Sequence, residues 1–433
     1  MFKLKENQTT VKTEILAGLT TFLTMVYIVV VNPIVLSDAG VPFQQVFSAT
    51  IIAAVVGTLW MGLVANYPIA IAPGMGLNAY FAYSVVGTHG NINYQTAFAA
   101  VFVAGIIFII LSLTTFRQKL IEAIPENLKY SISAGIGLFI AFIGLKMSGI
   151  ITKNTANLVG LGDLHAPGTL LTIVGLTVTL ILMSLRINGA MFFGMIFTSV
   201  VAILTGQLKF THGFVSTPSL PEGLIITNPF DAFGQVIGHS LYTVVFSFLL
   251  VTIFDTTGTM LGVAQQANLM KGNTMPRAGK ALLSDSLATT IGAIFGTSPT
   301  TAFIESTSGV AAGGRTGLTS LVIGLLFIIS AFFSPLVSSV SGLAAITAPA
   351  LIIVGSLMMG NISRVKWDLI DEAFPAFLVI ISMPLTSSIS TGISLGFISY
   401  PILKIFKGKW REVHPLVYIF AVLFFFQLAF LQH

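Results

Sequence analysis

The feature that most constrains this chain is serial: apolar runs near bilayer length follow one another with only short polar connections between them. In hydrocarbon every backbone N–H and C=O must be satisfied within the segment, and a helix of ~20 apolar residues does this while spanning the membrane. Such runs cover 14–36, 43–65, 69–86, 97–115, 131–150, 170–185 and 189–205. After a polar stretch at 206–236 they resume at 239–262, 281–295, 296–312, 318–336, 343–359, 369–385 and 389–405. A further run at 415–431 can span, lie on the surface or pack on the bundle, and is left unassigned. Only 8% of the 433 residues are charged and mean hydropathy is +0.94, against about 25% charged in soluble domains. The expected fold class is therefore an all-α polytopic membrane protein with fourteen transmembrane segments.

Charge supports that count. With the N-terminus in the cytoplasm, fourteen crossings place Lys3, Lys5, Lys12, Arg117, Lys119, Lys129, Arg186, Lys271, Arg277, Lys280, Arg315, Arg364, Lys366, Lys404, Lys407, Lys409 and Arg411 inside. Only Lys153 and Lys209 fall in outer loops, and Lys146 lies where it can snorkel to the outer interface. This is the asymmetry of cytoplasmic loops, so the net charge of +5 reads as a topology signal and no nucleic-acid partner is expected. The first run lacks a small-residue cleavage site, and a retained first helix is expected instead of a signal peptide. Seven runs precede the polar stretch and seven follow it, and an odd number per half makes a 7+7 inverted repeat.

Two of the runs are poor helices. The stretch 295–317 is polar and glycine-punctuated, and 67–81 has the same plan: an extended-looking start, a proline (Pro73, Pro299), then a polar residue soon after (Asn78, Glu305). Proline removes a backbone donor and biases its predecessor toward extended geometry, and the glycines of 74–76 let other groups approach the backbone. Paired interruptions in two halves mark a transporter binding site, with half-helices starting near the bilayer midplane.

Three carboxylates are candidates for chemistry. Asp255 and Glu305 lie inside apolar runs, where a charge costs a few kcal/mol. Asp255 either acts at the site or is clamped by its neighbours Thr256 and Thr257. Asp285 either takes part in coupling or sits where a helix start favours an acid. The remaining acidic residues read as loop or helix-end groups. The six histidines, among them His89, His165, His212 and His239, show no metal-ligand spacing, and the absence of cysteine excludes disulfides and thiolate metal sites. No metal, no cofactor and no enzymatic activity are expected, since hydrolase triads, phosphate loops and dinucleotide fingerprints are missing.

The stretches 72–81, 254–259, 296–309 and 313–317 resemble the AzgA-like purine permeases, the hypoxanthine, guanine and adenine branch of the nucleobase:cation symporter-2 family. The likeness runs from Lys12 to Arg411 and is strongest to bacterial guanine/hypoxanthine permeases. It implies a fold like the uracil permease, with segments three and ten paired as short antiparallel strands, each followed by a half-helix. Residues 1–115 and 236–338 would form a core domain, and 116–235 and 339–411 a gate domain. Residues 412–433 form the unplaced C-terminal segment. The resemblance places a nucleobase between the strand pair and segment eight, on Glu305 and Asn78. Related members often carry an acidic residue where this chain has Thr252, which leaves Asp255 either on the substrate or behind it. Phe303, Ile304 and Gly76 complete the expected binding set.

A carboxylate at Glu305 suits the N–H donors on a purine edge, and Glu305, Asp255 and Asp285 are the candidates for carrying a proton. The expected function is import of purine bases, guanine and hypoxanthine favoured, by proton symport across the cell membrane. The alternatives are an adenine-preferring permease and, from another class, an anion transporter or channel of the same fold. The expected partners are the base, the proton, the lipid bilayer and a second copy joined through the gate domain.

Overall fold

The computed structural model describes residues 2–86, 92–114, 123–155, 157–209, 213–218, 225–239, 241–271, 274–426 and 428–429. His89, His212, Arg117 and Lys119 lie outside the described residues. The chain is mostly helical. The first half contains α1 (Val11–Met25), α2 (Ile28–Ser37), α3 (Phe43–Trp60), strand β1 (Ile71–Pro73), α4 (Met75–Ala79) and α5 (Tyr94–Leu113). It continues with α6 (Glu126–Met147), strands β2 (Ile151–Asn154) and β3 (Leu158–Leu161), α7 (Pro167–Ser184) and α8 (Ala190–Leu204). The second half contains α9 (Ala232–Gly238), α10 (Tyr242–Gln266), α11 (Ala278–Phe295), strand β4 (Thr300–Ala302), α12 (Ser306–Ala311) and α13 (Gly317–Ser330). It closes with α14 (Ser334–Ser341), α15 (Ala344–Met359), α16 (Ile370–Thr386), α17 (Ile389–Phe406) and α18 (Pro415–Phe426).

Among the described residues nine helices or continuous helix pairs are long and apolar enough to cross a membrane. The other apolar runs are shorter or broken, so helix length by itself does not reach fourteen. The first run is not one helix: a turn at Val26 and Tyr27 separates α1 from α2, shortly before Pro33. Runs three and ten are the most broken. Run three is β1, then the single turns of α4, then a π-helical stretch Tyr80–Val86. Run ten is β4 followed by the short α12.

Four features add to the expectation. The connection after α6 folds into a β2–β3 hairpin, so the chain has two small sheets. The C-terminal run packs on the bundle: Phe420 and Phe424 of α18 meet Phe246 of α10 at 4.6 and 5.4 Å, and Phe397 of α17 at 5.9 and 5.6 Å. Lys404 is only 3% exposed, paired with Asp371 at 3.0 Å and Glu372 at 2.7 Å. Lys407 joins Asp371 at 2.5 Å, because a buried ammonium or carboxylate persists only with partners.

Glu14 is the fourth. It is fully buried, and its carboxylate accepts from the Arg315 and Thr316 amides (2.9 and 3.3 Å) and from the Thr319 amide and hydroxyl (3.2 and 2.6 Å). It therefore caps the N-terminus of α13, whose orphan donors and partial positive charge suit an acid. Gly317, at the same point, is required by contact: a Cβ there would lie 1.9 Å from the Gly62 carbonyl oxygen.

The most extensive helix packing falls in two sets. α3 and α5 pack on α11, and α1 and α3 on α13. α6 packs along α15 and α16, α16 on α17, and α7 on α8 and α15.

Candidate functional site

The two broken runs meet. β1 and β4 pair antiparallel, with Ile71 opposite Ala302, Ala72 opposite Thr301 and Pro73 opposite Thr300. Backbone bonds extend the pair at each end, from the Gly74 amide to the Pro299 carbonyl and from the Phe303 amide to the Ala70 carbonyl, both 3.0 Å. A two-stranded ribbon leaves two open edges, which lipid cannot solvate. Side-chain hydroxyls close them. Thr58 accepts from the Ile71 amide (3.0 Å) and donates to the Ile71 carbonyl (2.9 Å). Ser306 accepts from the Ala70 amide (3.0 Å), Thr289 from that of Thr300 (3.0 Å) and Thr256 from that of Ala302 (3.3 Å).

A half-helix leaves each strand. Neither α4 nor α12 has a side-chain cap. At α12 the proline-led start leaves no row of free amides: those of Ser306, Thr307 and Ser308 fold back on the carbonyls of Phe303, Ile304 and Glu305 at 2.9–3.1 Å. A tightened first turn satisfies orphan donors in this way.

Glu305 stands at the head of α12, half-buried, and accepts a 2.7 Å bond from the Tyr27 hydroxyl. Tyr27 occupies the turn that breaks the first run, so that interruption brings a phenol to the carboxylate. Phe303 is buried and Ile304 is 53% exposed, so the two neighbours of the strand end point to different surroundings. Asp255 on α10 is half-buried, beside the Thr301 hydroxyl and within electrostatic range of both Glu305 and Asp285. Thr252, one turn earlier, is buried.

Asp285 lies behind β4 and is fully buried. It is well inside α11, not in its first turn, so the helix dipole does not account for it. Its two carboxylate oxygens accept from the Thr256 and Thr300 hydroxyls, each at 2.5 Å. Thr256, one of the two threonines read as a clamp for Asp255, thus serves Asp285 instead.

On the other arm Asn78 is fully buried and donates to the Asn32 side-chain oxygen at 3.0 Å. Asn32, on α2, also reaches Thr50 (2.7 Å) and Thr297 (2.9 Å) and so ties the lead of run ten to the half-helix of run three. At Gly76 a Cβ would sit 2.6 Å from Ile136 Cγ2 of α6, so its bareness also lets that helix pack closely. Tyr27 and Asn32 are absent from the residues expected in sequence, and Thr256 was expected there only as a neighbour of Asp255. Of these only Asn32, an amide next to Pro33 inside an apolar run, carries a local signal. A cavity of about 530 Å³ lined by Asn127, Tyr130, Arg364, Lys366, Glu372 and Tyr400, among others, shares no residue with this cluster.

Comparison with known proteins finds relatives along nearly the whole chain. The chain is 69% identical over 429 residues to the guanine/hypoxanthine permease PbuO of Bacillus subtilis, covering 99% of each chain. It is 49% identical to the guanine/hypoxanthine permease PbuG of the same organism, covering 100% of this chain and 99% of that one. To the adenine permease AdeQ of Escherichia coli it is 45% identical, covering 98% and 94%. Among solved structures, the transmembrane domain of the cyanobacterial bicarbonate transporter BicA shares the fold, with a TM-score of 0.64 at 16% identity, over 88% of this chain and 97% of that one. The model of the Xan_ur_permease family, described as a permease family, matches residues 12–395. A membrane bundle whose two broken runs cross at a carboxylate, and whose sequence matches that family over most of its length, belongs to the Xan_ur_permease family.

Proposed function

We propose that this permease imports purine nucleobases, guanine and hypoxanthine before adenine, by proton symport across the cell membrane. The observation that carries the reading is Glu305, held by Tyr27 at the end of a strand pair that joins the two broken runs. A purine base is flat and neutral, with N–H donors on its edge, and a carboxylate accepts such donors through strong charge-assisted bonds. Glu305 takes the N1–H edge, Asn78 meets a second edge, and Phe303 flanks a face. Gly76, Ile304 and Thr252 border the same space at greater distance from the polar edge. Asp255, in range of both Glu305 and Asp285, links the three into a chain of carboxyl groups on which a proton can ride. The names of the relatives, two guanine/hypoxanthine permeases and an adenine permease, support the substrate class.

The architecture proposed with it has fourteen segments in two inverted halves and a cytoplasmic N-terminus. Residues 1–115 and 236–338 form a core that carries the site, and 116–235 and 339–411 a gate against which the core moves. The two packing groups of helices support that division. Two copies join through the gate.

The likeness to a bicarbonate transporter is one of fold alone, and a cluster of carboxyl groups repels the anions such a carrier takes. Competition tests the reading. Unlabelled guanine, hypoxanthine, adenine, uracil, sulfate and bicarbonate are set against labelled hypoxanthine in cells lacking their own purine permeases. Guanine and hypoxanthine should compete best and the anions not at all. Uptake that survives collapse of the proton gradient and follows a sodium gradient would remove proton coupling from the proposal.

A further inference from the structure

Asn78 is wholly buried, and its side-chain oxygen has no hydrogen-bond partner among the described residues. A buried acceptor left unpaired costs on the order of 1–3 kcal/mol. Such a cost is ordinarily relieved by turning the amide over, since its oxygen and nitrogen ends have nearly the same shape. A chain of bonds forbids that here. The Thr50 hydroxyl gives its one proton to the Val46 carbonyl at 2.6 Å, so toward Asn32 its oxygen can only accept. The Asn32 atom 2.7 Å away must then be the amide nitrogen, which also donates to Thr297 at 2.9 Å. The Asn32 oxygen is thereby turned to Asn78 and receives its amide nitrogen at 3.0 Å, with the Ser298 hydroxyl as a weaker second donor at 3.4 Å. Turning Asn78 over would set two carbonyl oxygens against each other.

We infer that Asn32 is a positioning residue that fixes Asn78 as an acceptor only, so that the site selects ligands carrying N–H donors on two separate edges. The inference rests on the purine reading above and narrows it. Glu305 takes the donors of the six-membered ring, and Asn78 takes the N–H of the five-membered ring. Guanine and hypoxanthine offer both. A base methylated at N9 keeps N7 as a bare acceptor, offers no donor on that ring, and leaves the Asn78 oxygen unpaired.

The test compares hypoxanthine with 9-methylhypoxanthine as competitors of labelled hypoxanthine uptake, in cells without their own purine permeases. In the unaltered chain the methylated base should bind at least about tenfold more weakly, the scale of one unpaired buried acceptor. Thr50→Val, nearly the same shape, removes the acceptor that commits Asn32, and Asn32→Leu removes the partner of Asn78. In either variant the Asn78 amide can turn and offer its nitrogen to N7, and the two inhibition constants should converge to within about threefold. A merely structural role for Asn32 lowers maximal uptake or weakens both competitors alike, and simple exclusion of the methyl group persists in both variants. A ratio unchanged in both variants overturns the inference. If the unaltered chain takes up no hypoxanthine, the purine reading itself fails, before any variant is made, and takes this inference with it.

Discussion

At Glu305 the carboxylate is held by a phenol from a different run, 278 residues away in sequence. Replacing Glu305 with Gln keeps the shape and removes the charge, so uptake efficiency should fall at least about a hundredfold, as for other charge-assisted bonds, while the protein remains in the membrane. Tyr27→Phe removes only the donor. Its effect should appear as KM raised roughly tenfold, with the amount of protein unchanged. Asp285 gives a different signature. Asn in its place can still meet the Thr256 and Thr300 hydroxyls, which can turn to donate or accept. Asp285→Asn should therefore insert normally yet lose uphill accumulation of hypoxanthine, while exchange of labelled for unlabelled base at equal concentrations continues. Retained accumulation would remove Asp285 from the coupling path and leave it as the anchor of β4.

At the scale of elements, the two interrupted runs were legible because Pro73 and Pro299 break apolar stretches at matching places, and proline has few uses inside a helix; their pairing as strands came from the family resemblance. The groups that close the strand edges were not legible. Thr58 and Thr256 look like any membrane-helix threonine, and most of those return their hydroxyl to a carbonyl one turn back, as Thr20, Thr177 and Thr198 do. Nothing local distinguishes a threonine that serves a distant strand. Asp285 was misplaced for a related reason: the start of α11 lies three residues before the apolar run, which moves the acid out of the first turn. The contact between the π-helical turn Met61–Ala65 and α13 yields a direct test, because backbone opposes any side chain at Gly317. Gly317→Ala should cost roughly 3 kcal/mol or more and show as lost protein or a lowered Tm in detergent. Gly258→Ala on α10, with nothing within 4 Å of the added carbon, should be neutral.

For the whole molecule, the periodic runs and the cations between them made the class of fold readable, since lipid leaves a chain few choices. What they left open was where the ends and connections go: α18 is held by aromatic contacts with α10 and α17, which no hydropathy pattern encodes. If 1–115 and 339–411 belong to moving parts, the contact between them must break in each cycle. The Ser84 hydroxyl bonds the Ser387 carbonyl at 2.5 Å across that boundary. The chain has no native cysteine, so Ser84→Cys with Ser387→Cys gives a clean probe. An oxidant should stop hypoxanthine uptake and a reductant restore it, and continued uptake in the crosslinked protein would show the boundary to be static.

The closure of β1 by β4, with Pro73 and Pro299 226 positions apart in sequence, also sets an order of events during synthesis. While the second half is still on the ribosome, β1 has no strand to pair with, and in hydrocarbon its open edge would be untenable. The first half must therefore wait in a water-accessible place, at the translocon or against a chaperone, until β4 arrives. A ribosome stalled before Pro299 should leave residues 67–81 open to aqueous protease or thiol reagents, and release past the end of α13 should bury them together.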